Sequence, residues 1–317
     1  MDYILVIYYD VFPLLLFIMI GYLLDKYFSL DIRTYNIISS YVAIPLFTFL
    51  CLYRYTPIKE IRSTFLFIFI LFITSLLGYF IKKAFPSYEI SISSFLASDM
   101  EALGIVFIFF VFTHAPYITI NTSIPNCSQT ALSIAILMLI AVTLIRISIN
   151  TFIHTKSIFL VIKKIMATPV LYAALFAFIL HYFSIPITHT FLWPVLLHYD
   201  GVFIVLIGIT AGVWIHRLPK KTISYYEILF PILRFVLMLS IAYLCIRNTH
   251  FLSALESQIL FIAVSIPATQ SMSKWDKSLS SSSNENSQLL LAELAVYLFL
   301  CPLAIHWAMK LFPLSLS

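Results

Sequence analysis

The segment FPLLLFIMIGYLLDKYFSL, residues 12–30, decides the fold class because it is long and apolar enough to cross a membrane. A membrane-spanning helix needs about 20 mostly apolar residues, and this run carries charge only near its end, on Asp25 and Lys26. The rest of the chain is similar: 62% of its 317 residues are apolar, 10% are charged, and the mean hydropathy is +1.00. Such a composition excludes a water-soluble globular domain and predicts an all-α integral membrane protein.

The same criterion predicts ten transmembrane helices. They lie at 4–24, 34–53, 63–81, 90–113, 129–153, 165–185, 190–215, 225–246, 254–273 and 287–311. The fourth and the ninth contain polar interruptions, SDMEALG at 98–104 and SIPATQ at 265–270. Irregular backbone at membrane depth is tolerated only inside protein or beside an aqueous cavity. We therefore expect helices four and nine to be broken and to face a central site.

Lysine and arginine residues set the predicted orientation, because cytoplasmic loops carry an excess of them. With the N-terminus outside, the inner loops contain Lys26, Arg33, Lys82, Lys83, Lys156, Lys163, Lys164, Arg217, Lys220, Lys221, Lys274 and Lys277. The outer side then contains only Arg54, Lys59, Arg62, Arg247 and Lys310. We therefore predict a multi-pass protein of the cell's inner (plasma) membrane, with both termini outside.

The two halves of the chain are related in sequence. TPVLYAALFAFILHYFSI (168–185) resembles residues 12–30, with Pro169 matching Pro13 and Phe183-Ser184-Ile185 matching Phe28-Ser29-Leu30. Each half has five predicted spans, an odd number, so the second half must insert upside down relative to the first. Internal similarity with opposite topology is typical of secondary transporters. The prediction is two inverted five-helix repeats, residues 1–153 and 154–317.

Several further segments, taken in order, resemble the auxin efflux carrier family over nearly the whole chain. After the first span they are YNIISSYVAIPLFTF (35–49), ATPVLYAALFAFIL (167–180), VFIVLIGITAGVWI (202–215), VSIPATQ (264–270) and ELAVYLFLCPLAI (293–305). The resemblance implies ten helices, scaffold and transport domains drawn from both halves, and broken helices four and nine that cross near the midplane. It also implies secondary active transport of a small organic solute, an organic anion or carboxylate, by alternating access.

The resemblance and the polar interruptions together nominate a solute- or ion-binding site. Its candidate residues are Ser98, Asp99, Glu101 and Gly104 in span four and Ser265, Pro267, Thr269 and Gln270 in span nine, with Arg234 as a possible charge partner. Span four departs from the family pattern, because aligning Gly104 with the second glycine of the family motif places Asp99 where the family has Asn. A buried carboxyl group here is a candidate proton carrier.

Three alternatives remain open from the sequence. With acids in the crossing site, the same fold would carry a cation or a neutral solute. A membrane protein that has lost transport is the second alternative, because the family's Asn and Pro of span four are missing. An intramembrane hydrolase is the third, but the chain lacks the usual catalytic motifs, so we predict no enzyme activity.

The expected partners follow from this interpretation. They are a small-molecule solute and the lipid bilayer, with a homodimer as a further expectation and no nucleic acid. No cofactor and no metal site are expected. Coupling to H⁺ or Na⁺ is expected of this architecture, and the sequence does not choose between them.

Overall fold

The computed structural model describes residues 7–55, 60–84, 104–113, 127–191, 193–217, 225–249, 251–266 and 284–313. The α-helices are α1 (Phe12–Phe28), α2 (Ile32–Ile38), α3 (Ile44–Arg54), α4 (Ile61–Ala84), α5 (Ile105–Thr113), α6 (Cys127–Thr155), α7 (Ile158–Met166), α8 (Pro169–Tyr182), α9 (Trp193–Leu197), α10 (Tyr199–Arg217), α11 (Tyr225–Asn248), α12 (Ala254–Ser265) and α13 (Asn284–Leu311). Single π-helical turns precede α1 and α3, at Ile7–Val11 and Ser39–Ala43. These residues contain no β-strand.

The prediction of an all-α protein suited to a membrane is confirmed. Among the described residues, four helices are long and apolar enough to cross a bilayer, at Ile7–Phe28, Arg33–Arg54, Cys127–Ile149 and Pro231–Asn248. The bent pair α7 and α8 makes a fifth if it is counted as one span. Shorter apolar helices lie in the remaining predicted spans that the structure describes.

Proline and serine residues set the ends of several helices. Pro13 and Pro169 lie in the first turns of α1 and α8, where the missing N–H has no helical acceptor to lose. Ser29 and Ser184, just beyond the ends of these helices, adopt left-handed conformations with φ of 45° and 52°. The left-handed residue turns the chain out of the helix and leaves its N–H to bond a carbonyl of the last turn. The residues that the sequence comparison had matched therefore lie in the first turn of each helix and just beyond its end.

The predicted start of the sixth span, at residue 165, is wrong. A separate helix, α7, runs to Met166, and α8 begins only at Pro169 after a bend of 61°. Proline disfavours helical backbone in the residue before it, and Thr168 is accordingly extended, with ψ of 116°. In the seventh span the interruption at HYDG is a break at His198 between α9 and α10.

The helices form two groups by their contacts. Helices α1, α3, α8 and α10, here called the four-helix group, make their most extensive contacts as α1 on α10 and α3 on α8. Phe47 of α3 stacks on Phe203 of α10 at 4.3 Å between ring centroids and joins the two pairs. Helices α4, α5, α6, α11, α12 and α13 form the six-helix group, in which α12 touches each of the other five. The contact of α3 with α6 links the two groups.

Glycine residues let α1 and α10 approach to backbone contact. A methyl group added to Gly21 would lie 2.1 Å from the carbonyl oxygen of Ile209, and one added to Gly212 would lie 2.0 Å from that of Ile18. Only a residue without Cβ fits at either position. Small residues at helix crossings are the usual means of close packing in membranes, where apolar burial alone gives little preference for protein over lipid. The α1–α10 pair is thus the tightest contact of the four-helix group.

Candidate functional site

Two short buried helices occupy the centre of the six-helix group. Helix α5 has 9 residues and α12 has 12, so they are about 14 Å and 18 Å long. Both are shorter than the roughly 30 Å hydrocarbon core. Every residue from Leu255 to Ser265 of α12 is buried, as are all but two residues of α5. The two helices contact each other. They are half-length segments enclosed by protein, within the fourth and ninth predicted spans.

The start of α5 and the end of α12 carry the two predicted site residues of spans four and nine that the structure describes. Gly104 is buried immediately before α5, and Ser265 is the buried last residue of α12. The Ser265 hydroxyl donates to the carbonyl of Ile262 at 2.6 Å, so its hydrogen atom is used within the helix and its oxygen retains acceptor capacity. The other candidates, Ser98, Asp99, Glu101, Pro267, Thr269 and Gln270, lie outside the described residues.

Arg234, the predicted charge partner, lies buried in α11 with 5% of its surface exposed. Helix α11 packs on α12, and the two run antiparallel through the short connection 249–253. Arg234 is 14 residues before the end of α11 at Asn248, and Ser265 is 11 residues after the start of α12 at Ala254. These separations correspond to about 21 Å and 17 Å along the helices, so Arg234 and the break after α12 lie at similar depths. A cation near a helix C-terminus is electrostatically favoured.

Helix polarity gives the break a defined chemistry. The C-terminal end of α12 presents carbonyl oxygens, and the residues that precede Gly104 and α5 lie outside the described ranges. A cation or proton donor is favoured at these carbonyl oxygens. Among the described residues, no group of three His, Cys, Asp or Glu side chains converges to hold a metal ion.

A buried charge cluster that the sequence analysis did not predict joins α1 to α10. The Asp25 carboxylate, 2% exposed, accepts from Arg217 Nε at 2.9 Å and from Arg217 Nη2 at 2.7 Å, in a bidentate pair. His216 Nδ1 lies 2.8 Å from the same carboxylate, and the N–H of Leu30 donates to it at 2.9 Å. Tyr22 lies edge-on to the His216 ring at 4.9 Å. The cluster fixes the end of the glycine-lined α1–α10 contact.

A second unpredicted carboxylate, Glu256, lies buried at the start of α12. Its N–H bonds the Ser253 hydroxyl at 3.2 Å while its Oε2 accepts from the Ser253 N–H at 2.7 Å, a complete capping box. Arg62 Nε lies 3.7 Å from the other carboxylate oxygen. Nearby, Tyr55 donates to Glu60 at 2.8 Å, and burial together with this bond raises the pKa of Tyr55. The Ser-x-x-Glu spacing was a readable signal for the cap.

Comparison with known proteins adds no family. No protein-family model matches the sequence. No match was found among the curated proteins. The function is therefore argued from the helices and residues described above.

Proposed function

We propose that the chain is a secondary active transporter that moves a small organic solute by alternating access around the breaks of spans four and nine. The observation that carries the proposal is the contact between α5 and α12, two short buried helices in the fourth and ninth predicted spans, of which α12 ends at the buried Ser265. A full-length helix satisfies its own backbone, whereas a helix that ends in the membrane needs other partners for its last groups. A bound solute would provide partners for the backbone groups at such a helix end.

The division into two helix groups supports a moving part and a fixed part. The four-helix group comes from predicted spans one, two, six and seven, and the six-helix group from three to five and eight to ten. Each group therefore takes equivalent helices from both halves, as a scaffold and a transport domain would. The α3–α6 contact joins them, and sliding there would expose the break of α12 to alternate sides.

Matching helix ends support the inverted repeat. After α8, the N–H of Ile185 donates to the carbonyl of Leu180 at 3.0 Å. At the matching position after α1, the N–H of Leu30 donates to the side chain of Asp25 at 2.9 Å. Both bonds span five residues and both follow a left-handed serine. The two helix ends thus have the same hydrogen-bonded turn. Its acceptor is the Asp25 carboxylate in the first half and a backbone carbonyl in the second.

Contacts between the halves support the same symmetry. If span one corresponds to six and two to seven, the α1–α10 pair becomes the α8–α3 pair on exchange of the halves, and these are the two dominant pairs. Arg217, at the end of α10, donates to the carbonyl of Leu30. Tyr53, near the end of α3, donates to the carbonyl of Ile185 at 3.0 Å. Long-range contacts at both Leu30 and Ile185, which the sequence comparison matches, support a relation between the two halves.

The proposal is tested with the purified full-length chain. A thermal-shift panel of mono- and dicarboxylates, amines and neutral amphiphiles, run at two pH values, identifies the stabilising class. Uptake of a radiolabelled member of that class is then measured in proteoliposomes with an imposed H⁺ or Na⁺ gradient. We expect one class to stabilise the protein and to accumulate with one of the two gradients. Absence of both stabilisation and uptake across the panel would refute transport.

Two serines of α12 give a matched pair of variants for locating the site. Ser265→Ala removes a buried hydroxyl at the break, whereas Ser257→Ala removes one that bonds the Ser253 carbonyl at 2.9 Å, two turns away. We expect the ligand-induced shift to fall in Ser265→Ala and in Asp99→Asn and to persist in Ser257→Ala. An equal ligand-induced thermal shift in the two serine variants would show that the solute does not bind at the end of α12.

A second candidate function keeps the fold and changes the solute. Asp99 and Glu101 in the predicted crossing segment favour a cation or a neutral solute over a carboxylate, because a carboxylate there would meet like charge. The same panel separates the two, since amines or neutral amphiphiles would then stabilise the protein. Loss of pH dependence in the Asp99→Asn/Glu101→Gln double variant would identify the coupling ion as a proton.

A further inference from the structure

Helix α7, between the two halves of the chain, differs from every helix of the two groups. Its sequence is IFLVIKKIM, and none of its nine residues is buried. Phe159 is 75% exposed, and Ile158 and Ile162 are more than half exposed. The helix contacts α6 and lies outside the packed interior of both groups.

The residues of α7 separate into two faces. At 100° per residue, Ile158, Ile162 and Met166 fall within about 80° of one another, with Phe159 beside them. With Val161 and Ile165, these apolar residues cover an arc of about 160° at the same spacing. Lys163 and Lys164 lie outside that arc, on either side of Leu160, and both are exposed. A short helix with an apolar face and a lysine-bearing face is typical of segments that lie in the membrane interface.

The bend before α8 permits this placement. The axes of α7 and α8 differ by 61°. If α8 tilts by about 29° (90° − 61°), within the 0–40° range of membrane helices, α7 lies parallel to the membrane surface. If α7 instead continued α8 through the bilayer, its two lysines would enter the hydrocarbon, where charged side chains are strongly disfavoured. At the other end, the left-handed Lys156 turns the chain from α6 into α7.

We propose that α7 is an interfacial helix that binds anionic phospholipid headgroups through Lys163 and Lys164, with its apolar face in the acyl region. The charge of the polar face is entirely positive, which complements the anionic inner leaflet predicted for this side of the chain. Helix α8, which follows α7, also carries exposed aromatic side chains, such as Tyr172 and Phe176. This lipid site does not depend on which solute the protein carries.

The headgroup contact is tested with full-length protein in bilayer discs of phosphatidylcholine with or without phosphatidylglycerol. Native mass spectrometry measures how strongly phosphatidylglycerol is retained over phosphatidylcholine. One lysine near an anionic surface corresponds to roughly a fivefold change in partitioning. We expect Lys163→Gln/Lys164→Gln to lower the preference by about that factor per lysine. The matched control Lys26→Gln/Lys83→Gln removes two exposed lysines elsewhere on the predicted inner side, and we expect it to lower the preference by a smaller factor. Equal losses in both double variants would overturn the proposal.

The depth of the helix is measured independently, with a nitroxide attached at Phe159→Cys and another at Lys164→Cys, which lie about 140° apart around the helix. Oxygen collides with labels in lipid, and a water-soluble nickel complex collides with labels in water. We expect the label at 159 to report the headgroup–acyl boundary and the label at 164 to report water. A water-exposed label at 159, or one shielded from both reagents by a second copy of the chain, would overturn the proposal even if transport is shown.

Discussion

A single methyl group on Gly212 should separate α1 from α10. The added Cβ would lie 2.0 Å from the carbonyl oxygen of Ile18 and 2.6 Å from the nitrogen of Tyr22, both backbone atoms that no rotamer change can move. Ordinary contact begins at 3.4 Å, so the helices must part by about 1.4 Å (3.4 − 2.0). Overpacking of this kind costs about 1–3 kcal/mol, and the higher helix propensity of alanine returns at most about 1 kcal/mol. We expect Gly212→Ala to lower the free energy of unfolding by about 2 kcal/mol.

Gly201→Ala is the matched control, because it lies in the same helix and an added Cβ there meets nothing within 4 Å. We expect this variant to be neutral or slightly stabilised. The assay is loss of helical circular dichroism of full-length protein in mixed micelles as the fraction of dodecyl sulfate rises. Coincident midpoints for the two alanine variants would refute the close α1–α10 contact.

A double-mutant cycle sharpens the same prediction. The Cβ at Gly212 would also lie 2.9 Å from the Cα of Gly21, and alanine at Gly21 would meet the Ile209 carbonyl at 2.1 Å. Once the first methyl has parted the helices, the second has room. The decreases in the free energy of unfolding for Gly21→Ala and Gly212→Ala should therefore sum to more than the decrease in the double variant. Strict additivity would show that the two glycines act in separate contacts.

Three further outcomes are measurable in the same unfolding assay. Asp25→Asn should lower the free energy of unfolding by about 2 kcal/mol, less than the loss of a fully buried ion pair because Arg217 is partly exposed. Arg217→Lys should lower it by about half as much, because lysine keeps the charge but cannot form the bidentate pair. Ser29→Gly and Ser184→Gly should each raise the free energy of unfolding by under about 1 kcal/mol, because glycine adopts the left-handed conformation without strain. A lower free energy of unfolding in either variant would contradict the positive φ at that residue. Ser253→Ala should lose about 1 kcal/mol by opening the capping box of α12, and an unchanged midpoint would contradict that cap.

Local signals in the sequence predicted the local structure well. The apolar runs predicted helices, and the Pro13/Pro169 and Ser29/Ser184 matches, noted as signs of a repeat, lie near the ends of two of them. The error at the sixth span arose because the apolar residues before Thr168 were treated as part of one helix. The X-Pro rule, which restricts the residue before Pro169, was the signal that separates α7 from α8.

Long-range contacts escaped sequence reasoning for a physical reason. Asp25 and Arg217 are 192 positions apart, and nothing in the residues around either one specifies the other. The glycines of α1 and α10 were noted only as motif positions, although their role is to admit a neighbouring backbone. Gly104, Ser265 and Arg234 were chosen from polarity and spacing. The structure places all three at buried positions, Ser265 and Arg234 on helices of the six-helix group and Gly104 immediately before α5. The carboxylates of span four stay predictions.

The two closures at the ends of α1 and α8 are alike in backbone geometry and different in chemistry. At the end of α1 the carbonyl of Leu30 receives a guanidinium held by a buried carboxylate, whereas at the end of α8 the carbonyl of Ile185 receives the neutral hydroxyl of Tyr53. In the predicted orientation the ionic closure lies on the inner side, where Arg and Lys are abundant, and the neutral one on the outer side. Because Arg217 is one-third exposed, salt screens the inner closure more than the outer. The two helix ends are therefore held by contacts that differ in charge, exposure and sensitivity to salt.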